Sequence, residues 1–216
     1  MRILLAGASG LVGGSVMEQA LVRSDISGVV SLARRPSGLV HPRLTEWLPA
    51  QGDLLSGLRP EPVDAVICCL GTTIRNVGGD QVKFIHVDKD LVLGLGRWAK
   101  EQGVPVCCVV SAIGADAHSR VFYNRVKGEM EEGLKALGLP ALHIFQPSIL
   151  TGPRKEKRLG ERIGIAVATV VAPLLPDRYK PMPHDALAKA LLTAACSKEG
   201  GAHVHQYSAI RRLASA

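Results

Sequence analysis

Short unbroken apolar runs alternate along the chain with longer stretches in which apolar residues return every three or four positions. Arg2–Ala6, Gly28–Leu32, 65–69, 104–110 and Ala141–Phe145 are each too short for a helix and show little polar alternation, and 44–48, though more polar, reads as a short third strand. Such runs suit strands buried on both faces, as in a parallel sheet covered by helices. Between them Leu11–Val22, 81–102 and 122–137 carry helical spacing; Gly103 stops the second of these, and Gly138 with Pro140 stops the third. The alternation predicts an α/β fold, a doubly wound parallel sheet ordered 3-2-1-4-5-6. After Ser148 the pattern loosens: 153–162 is basic, 163–175 is apolar up to Pro176, 184–197 is helical with Asp185 near its cap, and 203–207 reads as a late strand. One domain, 1–216, is expected, with about 148–216 contributing a small C-terminal cap.

The first strand leads directly into Gly7-Ala8-Ser9-Gly10-Leu11-Val12-Gly13-Gly14. Glycines at 7, 10 and 13 have separate tasks: the first lets the chain turn, the second lets backbone approach a pyrophosphate, and the third lets the helix lie close to its strand. The helix behind them offers free N–H groups and a partial positive charge to phosphates. This placement favours a dinucleotide cradle over a plain strand–helix turn. The Lys-Ser/Thr of a nucleotide-triphosphate loop is missing, since Ser15-Val16 follow Gly14, which argues against an ATPase.

The second strand ends in Ala33-Arg34-Arg35-Pro36. An acid at this position would hold a ribose 2′-hydroxyl, whereas an arginine fork matches a 2′-phosphate, so Arg34 and Arg35 predict NADP (NADPH) rather than NAD. The alternative is two surface charges in a turn. Asp53 is placed to reach the adenine. The run 65–69 ends in Leu70-Gly71-Thr72-Thr73, and ligands of open parallel sheets bind at such carboxyl ends.

Tyr123-Asn-Arg-Val-Lys127 puts a phenol and an ammonium one turn apart on a helix face, and Ser111 precedes them at the end of a strand. A cation beside the phenol favours phenolate, so Lys127 is expected to lower the Tyr123 pKa and make it a proton donor and acceptor. With the glycine loop, Ser111, Tyr123 and Lys127 form a candidate catalytic group.

Composition removes other classes. Of the formal charge of +7, only 153–162 forms a concentrated block, glutamates interrupt it, and aromatics are 4%, so stacking platforms for nucleic acid are scarce. A solvated basic loop is favoured there over an anion site. No eighteen-residue stretch lacks polar breaks and Met1 enters a strand at once, so neither a membrane span nor a signal peptide is expected. Cys68-Cys69, Cys107-Cys108 and Cys196 show no C-x-x-C spacing and read as reduced core residues of a cytoplasmic protein. His203 and His205 face one side of a strand with no third ligand spaced to join them, so no metal is expected.

Taken in order, Gly7-Ala-Ser-Gly10-Leu-Val-Gly13, Leu70-Gly71-Thr-Thr73, Val110-Ser111-Ala, Tyr123-Asn-Arg-Val-Lys127 and Gln146-Pro-Ser148 resemble the atypical, NAD(P)-binding Rossmann branch of the short-chain dehydrogenase/reductase superfamily. The group it most resembles comprises oxidoreductases similar to the human Tat-interacting protein of 30 kDa and their bacterial relatives. The resemblance covers nearly the whole chain. It implies that Tyr123 is the acid/base, that Lys127 binds the nicotinamide ribose, and that Ser111 hydrogen-bonds the substrate oxygen. It further implies that Ser9, Gly10, Leu11, Val12, Arg34, Arg35, Asp53, Leu54, Gly71 and Thr72 line the cofactor, with Pro147 and Ser148 near the nicotinamide. There are two departures. Asp88 stands where many extended members carry asparagine, and the part after Ser148 is short, implying a small or poorly enclosed substrate pocket. The expectation is an NADPH-dependent reductase of a small carbonyl compound, monomeric or homodimeric, with no nucleic-acid or membrane partner. A non-catalytic NADPH-binding sensor or regulatory protein is the alternative.

Overall fold

The computed structural model describes residues 1–152, 176–197 and 199–216. The basic stretch 153–162 and the apolar run 163–175 lie outside the described residues. Strands β1 (Arg2–Ala6), β2 (Gly28–Leu32), β3 (Leu44–Trp47), β4 (Ala65–Cys68), β5 (Val106–Val110), β6 (Ala141–Phe145) and β9 (Gly201–His205) form one sheet. Its order is β3-β2-β1-β4-β5-β6-β9, and every pairing is parallel. A separate two-residue pairing joins β7 (Leu150–Thr151) to β8 (Met182–Pro183).

The apolar runs are continuous because both faces of the sheet are covered. Ile3, Leu5, Ala65, Ile67, Val106 and Cys108 point to the layer holding α1 (Leu11–Val22), α5 (His184–Ala195) and Ile210 of α6 (Tyr207–Ser215). Their neighbours Leu4, Ala6, Val66, Cys68, Cys107 and Val109 point to the layer of α3 (Leu91–Glu101) and α4 (Phe122–Ala136). Ile3, Leu4 and Leu5 are each fully buried, and removing such a side chain from water is worth about 1.5–3 kcal/mol. The C-terminal segment does more than cap the fold: α5 and α6 complete one helical layer, and β9 extends the sheet beyond β6. The late strand sits two residues earlier than its histidine alternation suggested, because Tyr207 already opens α6.

The segment 81–101 is helical without a break, as its spacing predicts, but the pitch changes along it: α2 (Gln81–Ile85) runs into a π-helical turn over His86–Asp90, which runs into α3. Asp80 caps α2 by accepting from the N–H groups of Val82 and Lys83. The π turn widens the helix by one residue and aims Asp88 into the protein, where two partners hold it. No helix among the described residues is long and apolar enough to cross a membrane.

Parallel register brings the carboxyl ends of β1, β2, β4, β5 and β6 to one edge: Ala6 lies beside Leu32 and Cys68, Cys68 beside Val109, and Val110 beside Phe145. The loops leaving this edge carry most of the candidate residues.

Candidate functional site

At the first of these loops Gly7 adopts φ +90°, a conformation that side chains other than glycine rarely take, and the Gly10 N–H donates to its carbonyl at 3.0 Å. A Cβ on Gly7 would lie 2.6 Å from the Cys69 carbonyl oxygen, and one on Gly13 would lie 2.1 Å from the Gly7 carbonyl oxygen. Glycine at 7 lets β1 and β4 end side by side, and glycine at 13 lets α1 start against the turn. Gly10 differs: a Cβ there meets only the Gly7 oxygen, at 3.4 Å, so its missing side chain leaves space on the outside of the loop. Gly10 is also the N-cap of α1, with no capping side chain and no acid in the first turn. The N–H groups of Leu11 and Val12 thus stand at an uncapped helix terminus, and Ser9 and Gly10 are exposed beside it. This cradle fits the pyrophosphate of a dinucleotide: bare backbone, free donors and no competing carboxylate.

Arg34 and Arg35 leave β2 at the same edge, both exposed, and neither pairs with an acid among the described residues. Asp53 is exposed and approaches His86 of the π turn at 3.5 Å, while Leu54 is buried at the start of the 3₁₀ turn Leu54–Gly57. On the next loop Gly71 is exposed and the Thr72 N–H donates to Asp88 Oδ2 at 2.8 Å. Pro147 is buried; its carbonyl accepts from the Ile113 N–H at 3.0 Å and ties the β5 and β6 loops together. The Ser148 hydroxyl donates to the Lys180 carbonyl, so it is engaged within the protein.

Tyr123 lies in the first turn of α4, packs against Phe84 with ring centroids 5.9 Å apart, and keeps 40% of its surface exposed. Lys127 follows one turn later, and its side chain is only 4% exposed. Its ammonium lies 2.8 Å from Asp88 Oδ1, whose side chain is 1% exposed. Burial alone would push the Lys127 pKa down, but the nearby charge of Asp88, helped by Tyr123, raises it, and the lysine stays charged. The expectation for Tyr123 is corrected. Burial is the largest influence on the phenol and raises its pKa; Lys127 pulls it down, but Asp88 opposes that pull. The phenol is held protonated rather than primed as phenolate.

Ser111 has a partner that its spacing did not suggest. Strand alternation continues from Cys107 and Val109 to Ser111 and turns its side chain toward α4. There its hydroxyl donates to Glu131 Oε1 at 2.5 Å, and no hydrogen bond joins it to Tyr123. Glu131 is 4% exposed, accepts from Gln146 Nε2 at 3.0 Å on both oxygens, and has Lys135 at 3.9 Å. Gln206, which caps α6, completes the chain by donating to Gln146 Oε1 at 3.0 Å. Glu131 lies eight residues beyond Tyr123, about 12 Å along the helix axis, and it is there that the Ser111 hydroxyl is engaged. Asp88 and Glu131 are therefore two residues of this region to which sequence reasoning gave no role. A signal for Glu131 existed: Tyr123, Lys127 and Glu131 recur every four residues, putting an acid on a face that should pack on the sheet.

Cys68, Cys107 and Cys108 are buried and Cys69 is partly buried, whereas Cys196 is exposed, so the expectation of core residues fails for it. Burial raises Cys68 to about 11 and holds Cys69, Cys107 and Cys108 above the ordinary thiol value too. His143 of β6 joins His203 and His205, the third histidine that spacing along the chain could not supply. Its Nδ1 lies 3.0 Å from His205 Nε2, and His203 Nε2 lies 2.9 Å from the Gly200 carbonyl oxygen. These nitrogens are engaged, and no group of three ligands able to hold a metal occurs among the described residues.

No family model matches the chain. Individual proteins do. It is 35% identical over 167 residues to protein FMP52, mitochondrial, of Eremothecium gossypii, a match that covers 77% of this chain and 74% of that one. It is 32% identical over 173 residues to protein HTATIP2 of Rattus norvegicus, covering 74% and 66% respectively. A structure of MoeE5 in complex with UDP-glucose and NAD matches with a TM-score of 0.69 at 15% identity, over 100% of this chain and 81% of that one. A UDP-glucose 4-epimerase from Thermotoga maritima with UDP-glucose matches with a TM-score of 0.66 at 16% identity, over 100% and 82%. At these identities the solved structures establish the fold alone. The cytoplasmic expectation is overturned, because FMP52 relatives are named mitochondrial. It rested on reduced thiols, which any reducing compartment preserves. By its similarity to FMP52 and HTATIP2, the chain belongs to their family of NAD(P)-binding, Rossmann-fold proteins of the short-chain dehydrogenase/reductase type.

Proposed function

We propose that the protein is an NADP(H)-dependent oxidoreductase that reduces a small carbonyl compound. The observation that carries this reading is the buried, charged Lys127 one turn below a protonated Tyr123, on a helix whose N-terminal end meets the sheet edge bearing the glycine cradle. Gly7, Ser9, Gly10, Leu11, Val12 and Gly13 would hold the pyrophosphate, Arg34 and Arg35 the 2′-phosphate, Asp53 and Leu54 the adenosine side, and Gly71, Thr72 and Pro147 the nicotinamide side. When bound, the dinucleotide supplies the hydride. Tyr123 supplies the proton to the substrate oxygen, and Lys127 stabilises the phenolate left behind. A phenol held protonated suits reduction better than oxidation, because the donor is loaded at neutral pH. Ser111 is left out of this step since its hydroxyl is committed to Glu131.

The same commitment favours a second reading, an NADPH-binding regulator without turnover, because it withdraws a hydrogen-bond donor from the substrate oxygen. The experiment that separates them is NADPH oxidation across aldehydes, ketones and quinones, run beside NADPH and NADH titrations. Turnover of one carbonyl class with NADPH supports the reductase. Tight NADPH binding with no turnover across the panel leaves the regulator, and the absence of binding removes both.

A further inference from the structure

We infer that Asp88 is a positioning residue of the proton-transfer site, fixing the Lys127 ammonium at the carboxyl edge of the sheet and tempering the charge that Lys127 presents to Tyr123. The inference takes its meaning from the reading of Tyr123 as proton donor, but its evidence is separate. The two side chains are 1% and 4% exposed with their charged atoms 2.8 Å apart, so neither is there for solubility. Burying one such charge without the other is costly, and the pair stands or falls together. The remaining oxygen of Asp88 accepts from the Thr72 N–H at 2.8 Å, so the carboxylate is anchored to the very loop that closes over the pair. A Cβ on Gly71 would lie 3.5 Å from Asp88 Oδ1 and 3.9 Å from Lys127 Nζ, which puts the ion pair directly beneath that exposed glycine.

The backbone is shaped for the contact. A regular helix through 81–101 would rotate the residue at 88 to another bearing; the π turn His86–Asp90 sets it on Lys127. The turn is fastened to α4 a second time by Lys89 and Glu129, whose charged atoms lie 2.8 Å apart. Three titratable groups bear on Lys127: Asp88 from the π turn, Tyr123 from the preceding turn of α4, and the neutral thiol of Cys68 on β4. Glu131, one turn further on, is engaged by Ser111, Gln146 and Lys135.

A lysine without this partner would be a buried, uncompensated ammonium, pushed toward its neutral form and free to swing. With Asp88 in place the pair is nearly neutral, the ammonium points along one line, and Tyr123 keeps its proton until a substrate oxygen takes it. An asparagine would preserve the hydrogen bond from Thr72 and remove only the charge.

The test is Asp88→Asn, read by the absorbance of the Tyr123 phenolate during an alkaline titration, with the trace of Tyr123→Phe subtracted to remove the other two tyrosines. The Tyr123 transition should move to lower pH, the direction expected when a nearby negative charge that raises it is lost. A transition that stays in place in a folded Asp88→Asn variant overturns the inference. A parallel measurement needs no substitution at Asp88: the Lys127 side chain, followed by NMR and assigned by its loss in Lys127→Arg, should titrate above the ordinary lysine value. Titration below that value overturns the inference even if Asp88→Asn fails to fold. Neither readout uses cofactor, substrate or turnover. Failure to find a reductase activity therefore removes the proposed function and leaves these results to be judged on their own.

Discussion

Replacing Gly13 with alanine puts a methyl group 2.1 Å from the Gly7 carbonyl oxygen and 2.7 Å from its carbon. Real Cβ atoms do not approach backbone closer than about 3 Å, so α1 must retreat from β1 by roughly an ångström. It cannot do so freely, since Val16 and Ala20 on the same helix are fully buried against the sheet. Overpacking of this kind costs about 1–3 kcal/mol, and a clash with the backbone of the Gly7–Ala8 turn, which no side-chain rotation relieves, belongs at the upper end. For a chain of this size about 3 kcal/mol lowers the melting temperature by roughly 6–12 °C. Gly10→Ala is the control. Its Cβ meets one atom at 3.4 Å and the backbone is extended at φ −84°, so stability should change by less than about 0.5 kcal/mol. The methyl would nevertheless stand in the space left for a pyrophosphate, and NADPH affinity should fall at least about tenfold, equivalent to ~1.4 kcal/mol. Thermal melts without cofactor and fluorescence titrations with NADPH read the two effects separately. A Gly13→Ala protein that melts with the parent, or a Gly10→Ala protein that binds like it, would refute the reasoning about the cradle.

Three further outcomes are expected. Arg35→Asp should weaken NADPH binding about tenfold or more while leaving NADH nearly unchanged, and equal affinity of the unmutated protein for both cofactors contradicts the role given to the arginines. Ser111→Ala leaves Glu131 with Gln146 as a partner and should cost about 1–3 kcal/mol of stability in urea unfolding while turnover changes only a few-fold; loss of turnover with the fold intact would return Ser111 to the catalytic group. His143, 1% exposed, is lowered to about 4 by burial first and then by His205 and His203, so the unfolded chain binds the extra proton between pH 6.5 and 4. Stability from this site is complete above pH 6.5 and is lost as pH falls toward 4, amounting to about 2 kcal/mol by pH 5; a His143→Asn variant should show a shallower acid loss, and parallel curves would contradict the assignment.

The strand order was legible because each buried strand is a compact apolar run and each helix has its own period and stop. The glycine loop was legible because strand, turn and helix follow within a few residues. Arg34, Tyr123 and Lys127 could be picked out from spacing alone for the same reason: they lie at element ends or one turn apart. What spacing could not supply was contact between distant segments. The partnership of Asp88 with Lys127 joins residues far apart in sequence and depends on a π turn, which has no compositional signature. Burial of the phenol, with Asp88 opposing the pull of Lys127, reverses the expected direction of the Tyr123 pKa, and neither the burial nor the aspartate can be read from the spacing of Tyr123 and Lys127. The engagement of Ser111 with Glu131 was hidden by its place at the end of β5. Position at a strand end brings a residue to the site edge, but the parity of the strand sends this side chain into the layer beneath α4, where Glu131 waits. His143 was likewise hidden because its neighbours His203 and His205 reach it only through sheet register.

The most direct test of the central claim is Tyr123→Phe, which removes one hydroxyl and leaves the ring to pack on Phe84. On the carbonyl that the unmutated protein reduces best, kcat should fall by about 10²–10⁴-fold, the range for loss of a general acid. The NADPH dissociation constant should hold, because Lys127, Asp88 and the glycine cradle are untouched. Turnover retained in a folded Tyr123→Phe protein would contradict the account and remove Tyr123 from the chemistry.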